Sequence, residues 1–550
     1  LFTIPFKKLF NKKLVASVLC STLLLGTVSI KLSSNKEVSS FGDTKVVHAE
    51  TKPNAEFRSA WVSTIWNLDF KQTNGSASAF KSEYTRVLNA FNSMNMNAVT
   101  FQVRPANDAF YPSTLNPWSK YLTGTQGKSP EAGFDPLAYM VSETHKKGME
   151  FHAWFNPYRV TESAQTGKTK EQILATLSSN NFARKNPDAV MLYNGKLYLN
   201  PGEPKAQQFV IDTVMEVVKK YDIDAVHFDD YFYPYGGFKT TNPDIATYKK
   251  YGTGFSSIEN WRRNNIDNLI KNLNTQIKSA KSDVKFGISP FGIWGSKSKH
   301  PSGSPEGEGS AVSSGSLSSY DDIFADTRKW VKNNWIDYIT PQLYWSMNNS
   351  ISSYKVLVDW WGNVVQGTKC NLYIGHAVYK YRDGEANTNE VADWKNPSEI
   401  PNQITYSRNN ANVKGSSFFS LRDLESNIVG FKTTLVSSFY TSKVSIPGSV
   451  SVTPSYPTEK LRVYSTGVSN RLVWIDSKTS TSKSYNIYRF TGSEAVNTQS
   501  TTHLLKTVNR SGSATYLAYN DTTIKLSTKY TYIIEALDSS GNIIKQFKIN

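Results

Sequence analysis

The sequence predicts an α/β chain, a (β/α)8 TIM-type barrel followed by a C-terminal β-sandwich. Two observations carry the barrel. Between residues 58 and 421, eight short apolar stretches alternate with helical segments, the pattern of parallel strands joined by crossover helices. No glycine-rich phosphate turn follows the first strand, which sets aside an open nucleotide-binding sheet. A third observation carries the sandwich. Beyond residue 441, strand-like segments follow one another with no helical segment between them.

In chain order, residues 58–64 read as the first strand. Residues 80–94 are helical, with Val87, Leu88, Phe91 and Met94 on one face. Residues 98–104 are the second strand, and a polar-aromatic loop over 105–112 follows. Asp135 caps the next helix, Pro136 fits its first turn, and Gly148 stops it. Residues 150–156 are the third strand. The insertion over 157–203 holds a hairpin that turns at Asn194-Gly195. An amphipathic helix over 204–220 runs into the fourth strand, which starts at Asp224 and ends in the adjacent carboxylates of Asp229 and Asp230. A helix over 258–280 precedes the fifth strand, 285–291. Segment 296–319, rich in Ser and Gly, reads as a mobile loop. The sixth, seventh and eighth strands fall at 338–345, 371–378 and 415–421. In the C-terminal part, 471–475, 484–488, 504–508 and 529–534 read as strands.

A chain of 550 residues exceeds a single core. The expected division is a signal peptide and leader over 1–49, the barrel over 50–440 and the sandwich over 441–550. Lys7, Lys8, Lys12 and Lys13 precede an apolar run over 14–30, and Val47-His48-Ala49 offers a small-residue cleavage site. This is the organisation of a secretory signal, so a secreted or cell-wall-associated protein is expected. Contact with a membrane is expected only through this segment, where it stays uncleaved. The net charge is +17, of which residues 1–49 hold +5, so the exported chain keeps +12. That balance favours an anionic partner such as a cell-wall polymer. There is no basic helix or arginine run, and nucleic acid is not an expected partner. Cys370, at the start of an apolar strand, is expected as a buried spacer.

Side chains alternate along a strand, and the outer face of a barrel strand packs on helices. The polar set must therefore point inward. On the third strand that set is His152, Trp154 and Asn156; on the second, Gln102 and Arg104; on the fourth, His227 and Asp229; on the sixth, Gln342 and Tyr344. Four strands thus bring polar groups to one end, where barrel chemistry sits. Asp229 is the leading catalytic candidate, as nucleophile or general acid/base. Asp230 is expected to turn toward the loop and bond backbone amides or Arg104. Cleavage of a glycosidic bond ordinarily uses two carboxyl groups. Asp108, beside Asn107 in the loop after the second strand, is the first choice for the second, with Glu56, Asp69, Glu203 and Asp423 as alternatives. A substrate acetamido oxygen is a further alternative to an enzyme nucleophile. Trp66, Trp154, Tyr158, Tyr231, Tyr233 and Tyr344 are expected to line a sugar-binding cleft. His152 and His227 are expected to bond sugar hydroxyls or orient Asp229. The histidines at 152, 227 and 376 show no metal-ligand spacing, so neither metal nor cofactor is expected.

Five stretches carry a family resemblance: 56–62 (Glu-Phe-Arg-Ser-Ala-Trp-Val), 101–112, 151–158, 199–202 (Leu-Asn-Pro-Gly) and 227–234 (His-Phe-Asp-Asp-Tyr-Phe-Tyr-Pro). Together they resemble the glycosyl-hydrolase-like family ten of bacterial barrel proteins, over residues 53–440. The resemblance implies a TIM-type barrel in an exported protein that hydrolyses cell-envelope polysaccharide, with peptidoglycan glycan strands the leading substrate. It places Asp229 and Asp230 at the family's acidic fourth-strand position and supplies no second carboxylate. That gap leaves a non-catalytic glycan-binding wall protein as the alternative. Trp474, Tyr530 and the hairpin over 536–542 resemble a fibronectin type III module, which implies a spacer or wall-contact role.

Overall fold

Eight parallel strands close on themselves in chain order. They are β1 (Phe57–Val62), β2 (Ala98–Arg104), β3 (Glu150–Phe155), β4 (Ala225–Phe228), β5 (Lys285–Ile288), β6 (Tyr338–Ile339), β7 (Asn371–Ala377) and β8 (Val413–Phe419). β8 returns to β1 in a parallel ladder running from Gly415–Phe57 to Phe418–Ala60. A helix follows each strand: α1 (Ala77–Ser93), α2 (Pro136–Lys146), α3 (Pro204–Lys220), α4 (Ile258–Ala280), α5 (Thr327–Lys332), α6 (Tyr354–Val365), α7 (Glu399–Asn409) and α8 (Leu421–Glu425). The fold is a (β/α)8 barrel. This computed structural model describes residues 53–238, 241–383, 390–447 and most of 459–549. The signal and leader expected over 1–49 lie outside the described residues. Among the described residues, no helix is long and apolar enough to cross a membrane.

Local chemistry sets the element ends. The Asp135 carboxylate accepts from the Ala138 amide at 3.1 Å at the start of α2, and Gly148 takes the left-handed conformation (φ 67°) after it. Asn194 (φ 48°) and Gly195 (φ 72°) form the two-residue turn that joins Val190–Tyr193 to Lys196–Leu199. β5 and β6 are shorter than the sequence pattern predicts, because Pro290 and Pro341 donate no backbone hydrogen bond. Beyond them only isolated bridges remain, Phe291 to Gln342 and Gln342 to Gly375. Segment 296–319 differs from its expectation as a mobile loop. It is closed on itself by Lys297 N to Ser310 O at 2.7 Å and Gly309 N to His300 O at 2.9 Å. The His300 ring bonds Glu306 at 2.6 Å and Asp321 at 3.1 Å.

The barrel interior is filled, not hollow. Phe57 stacks on Tyr373 at 4.0 Å and 9°, and Ala98, Ala225 and Tyr338 complete the cluster. Through it runs a chain of polar side chains. Trp61 Nε1 donates to His227 Nε2 at 3.0 Å. His227 Nδ1 and His152 Nδ1 each lie 3.0 Å from the Tyr338 hydroxyl. His152 Nε2 meets Glu150 Oε2 at 2.8 Å, and Lys285 closes the chain on the other Glu150 oxygen. Burial works to raise the Glu150 pKa, yet the His152 bond and the Lys285 charge hold it below the usual carboxylate range.

The C-terminal strands are β9 (Glu459–Ser465), β10 (Asn470–Ile475), β11 (Ser484–Thr491), β12 (Leu504–Asn509), β13 (Tyr516–Asp521), β14 (Tyr530–Leu537) and β15 (Ile543–Ile549). Their order is β12-β11-β14-β15-β9-β10-β13. All pairings are antiparallel except β9 with β15. Trp474 is buried in their core and meets Tyr485 edge-on at 5.3 Å.

Gly287 makes room for the interior chain: a Cβ there would fall 2.0 Å from Cζ of Tyr338. The Gly287→Ala variant is expected to lose about 1–3 kcal/mol of stability through overpacking. Chemical denaturation measures the loss, and an unchanged midpoint would contradict the packing described.

Candidate active site

The β4 ladder ends at Phe228, so the next two residues escape strand alternation. Asp229 and Asp230 both open into one cavity of about 240 Å³ at the C-terminal end of the barrel. Both are 5 % exposed. Trp61, Ser63, Gln102, Ser289 and Gln342 line it beside them, with Trp66, Trp154, Tyr231, Tyr235, Tyr344, Tyr379 and Phe419 adding aromatic faces. Trp66 stands on a left-handed backbone (φ 55°) with its side chain largely exposed.

The two carboxyl groups sit in unlike surroundings. Asp229 Oδ2 accepts from Trp154 Nε1 at 3.1 Å and Asn156 Nδ2 at 2.9 Å, and Oδ1 accepts from the Tyr231 amide at 3.2 Å. Burial raises its pKa, and the Arg159 charge and these donors oppose the rise. Arg159 is itself fixed. Its guanidinium lies 3.8 Å from the Tyr231 ring centroid, and its backbone amide donates to Asn156 Oδ1 at 2.9 Å. Asp230 receives the Tyr235 hydroxyl at 2.7 Å. Burial first, then the neighbouring Asp229 charge, pushes its pKa up to about 7. One carboxyl is therefore favoured as the carboxylate and the other as the acid, the division of labour that acid/base catalysis requires.

The structure redistributes the residues singled out in the sequence. Trp66, Trp154, Asp229, Asp230, Gln342 and Tyr344 line the cavity. Asn156 stands behind it, on Asp229. Asp230, expected on backbone amides or Arg104, instead faces the cavity and bonds Tyr235. Arg104 points outward because a bulge shifts the β2–β3 register between Gln102 and Arg104. It bonds the Asn156 carbonyl at 2.6 Å and Asn107 Oδ1 at 2.6 Å, under α3. Asn107 is fully buried in that bond and in another to Asn181. His152 and His227 face inward as alternation requires, but they lie below the cavity in the interior chain, so neither reaches a sugar. Tyr158 and Tyr233 pack in the core, Tyr233 edge-on to Phe238 and Phe324. His376 is bonded to Gln403 and Ser416. Among the described residues, no group of three or more His, Cys, Asp or Glu gathers as a metal site.

Asp108, the first choice for a second acid, opens into a separate hollow with Lys120, Gln126 and Glu162. The alternatives are also elsewhere. Glu56 binds Arg58 and Arg408, and Asp423 binds Arg382 and Ser420. Glu203 accepts from Tyr251 at 3.4 Å. Asp69 accepts from Ser420, Arg422 N and Ser63 N and does not line the cavity. Sequence reasoning missed Arg159, Trp61, Tyr235, Tyr379 and Phe419. Of these only Arg159 left a signal, as the first cation after the third strand.

Barrels that cleave sugars hold an acid and a carboxylate where aromatic faces meet a pyranose ring. The shape of this mouth fits that class, and the family match and relatives of the chain make the protein a glycoside hydrolase. The chain belongs to the glycosyl hydrolase-like 10 family, which it matches over residues 56–395. Glycosyl hydrolase YngK of Bacillus subtilis (strain 168) is 41% identical over 511 residues, covering 91% of this chain and 94% of that one. Glycosyl hydrolase DigH of Escherichia coli (strain K12) is 39% identical over 354 residues, 62% of this chain and 77% of that one. Among solved structures, the PgaB (BpsB) glycoside hydrolase domain from Bordetella bronchiseptica superposes with a TM-score of 0.42 at 11% identity, covering 70% of this chain and 98% of that one.

Because Asp108 lies outside the cavity, Asp108→Asn is expected to keep hydrolytic activity within about threefold. Its effect falls on stability. Burial raises the Asp108 pKa to about 6 in the folded protein, above the unfolded value, so the folded state holds the extra proton. The stability contribution is full below about pH 4 and is lost as pH rises through 6, an effect of about 2–3 kcal/mol. Denaturation curves between pH 4 and 7 should show this slope in the parent and a flatter one in Asp108→Asn.

Proposed function

We propose that this enzyme is exported and hydrolyses the glycan strands of the cell envelope, with peptidoglycan as its substrate. Asp230 is the general acid and Asp229 is the ionised partner. The observation that carries the reading is the adjacent buried carboxyl pair, one accepting three donors beside Arg159 and the other raised toward neutral pH. The cavity lining supports an uncharged sugar. Among the described lining residues the one cation, Arg159, already answers Asp229, and apart from the carboxyl pair the rest is aromatic, aliphatic or neutral polar. Export is supported by the basic and apolar organisation of residues 1–49. The seven C-terminal strands act as a fibronectin type III-like sandwich that spaces the barrel from, or holds it to, the wall, and the positive charge favours its anionic polymers.

Purified glycan strands incubated with the full chain should yield new reducing ends. Asp230→Asn should lower kcat/KM by about 10²–10⁴-fold, the usual worth of a positioned acid. Since the acid works only when protonated, kcat/KM should fall tenfold per pH unit once pH exceeds the Asp230 value near 7. Tight retention of glycan with no reducing ends would instead identify a glycan-binding wall protein.

A further inference from the structure

We infer that the substrate supplies its own nucleophile: the mouth is built for a glycan carrying a 2-acetamido group, whose carbonyl oxygen attacks C1 while Asp229 holds the amide N–H and Asp230 protonates the leaving oxygen. The inference rests on the hydrolase reading above and adds the substrate class and the covalent course.

Its ground is the placement of the acids. Among the described residues, Asp229 and Asp230 are the only carboxylates that line the cavity. They are consecutive residues at the end of one strand, so both approach the sugar from the β4 side. A retaining enzyme with its own nucleophile, or an inverting one with a general base, needs a second carboxylate across the scissile bond from the acid. Across the mouth from β4 stand β8 and its neighbours β7 and β1. They present Phe419, Tyr379 and Trp61. The described acids near this rim in sequence do not line the cavity: Asp69 is held by Ser420, Arg422 N and Ser63 N, and Asp383 and Asp423 pair with Arg382.

Asp229 suits a substrate amide. A carboxylate offers about four acceptor positions. Trp154 and Asn156 fill the two on Oδ2, and the Tyr231 amide takes one on Oδ1. One Oδ1 position remains for an N–H. Trp154, Tyr344 and Phe419 supply the apolar surface that an acetamido methyl group requires.

In the first step the acetamido oxygen forms a bond to C1 and the C1–oxygen glycosidic bond breaks. The Asp230 proton goes to the leaving oxygen and the amide proton to Asp229, leaving a neutral oxazoline. In the second, water attacks C1 and the C1–oxazoline oxygen bond breaks. The water proton passes to Asp230, and Asp229 returns its proton to nitrogen. One water is consumed, two sugars result, and the anomeric configuration is retained.

The test uses the full chain and peptide-free peptidoglycan glycan strands in three forms: native, chemically de-N-acetylated, and de-N-acetylated then N-trifluoroacetylated. The third fills the same space with a weakly nucleophilic carbonyl. De-N-acetylated strands should be cut at least 100-fold more slowly than native ones. The trifluoroacetyl form should lose at least 100-fold in kcat with KM within about threefold. Proton NMR of the first product should show the retained anomer. Equal rates on native and trifluoroacetylated strands, or an inverted first product, overturn the inference and leave the hydrolase standing. Absence of cleavage in all three forms overturns the peptidoglycan reading on which the inference rests. An Asp229→Asn protein that keeps its native denaturation midpoint yet cuts native strands at the parent rate also defeats the assignment.

Discussion

Two carboxyl groups on consecutive residues, both taken out of water, cannot both remain charged without large cost. That constraint organises the mouth of this barrel. Three donors and a fixed arginine gather on Asp229. Asp230, left with a single phenol and facing its neighbour's charge, is pushed toward the protonated form. Arg159 matters because its guanidinium lies over the Tyr231 ring while its backbone amide is tied to Asn156, so its charge is aimed rather than mobile. Placing a charged and a neutral carboxyl side by side requires all of these groups together.

The fold was legible because its signals are local. Alternating apolar runs and capped helices gave the eight repeats, and α3 and α4 fall where periodicity put them. The ends of the short strands also follow from sequence once Pro290 and Pro341 are read as missing donors. The site was legible only in part, because alternation reports the face of a strand and not the depth of a residue along the barrel axis. His152 and His227 share the inward face with Trp154 and Asp229, yet the first pair lies in the packed interior. Arg104 shows a second limit: one bulged residue turned a predicted inward cation toward α3. Tyr158 and Tyr233 show a third, since past a strand end alternation no longer holds. Asp108 reads as a mouth residue from its loop, and only the tertiary path of that loop puts it in another hollow.

Beneath the cavity, the interior is sterically and electrically filled. Gly287 gives up its side chain so that Tyr338 can reach both histidines, and Phe57 and Tyr373 stack beneath. This supports the site from below. The Trp61 indole that floors the cavity is held by His227, and His227 is also within 3.2 Å of the Ser289 hydroxyl at the same level. Such support behind a reacting constellation keeps its geometry close to productive.

That chain also has a polarity. Indole N–H only donates, and a carboxylate only accepts. With both imidazole rings neutral, and with Trp61 at one end and Glu150 at the other, a single arrangement leaves no two donors opposed. His227 carries its hydrogen on Nδ1, the Tyr338 hydroxyl points to His152, and His152 carries its hydrogen on Nε2. The mirror-image arrangement is unavailable, because neither terminus can swap roles. The chain of side chains through this barrel therefore runs in one donor-to-acceptor direction, from Trp61 to Glu150, a direction that its near-symmetric backbone lacks.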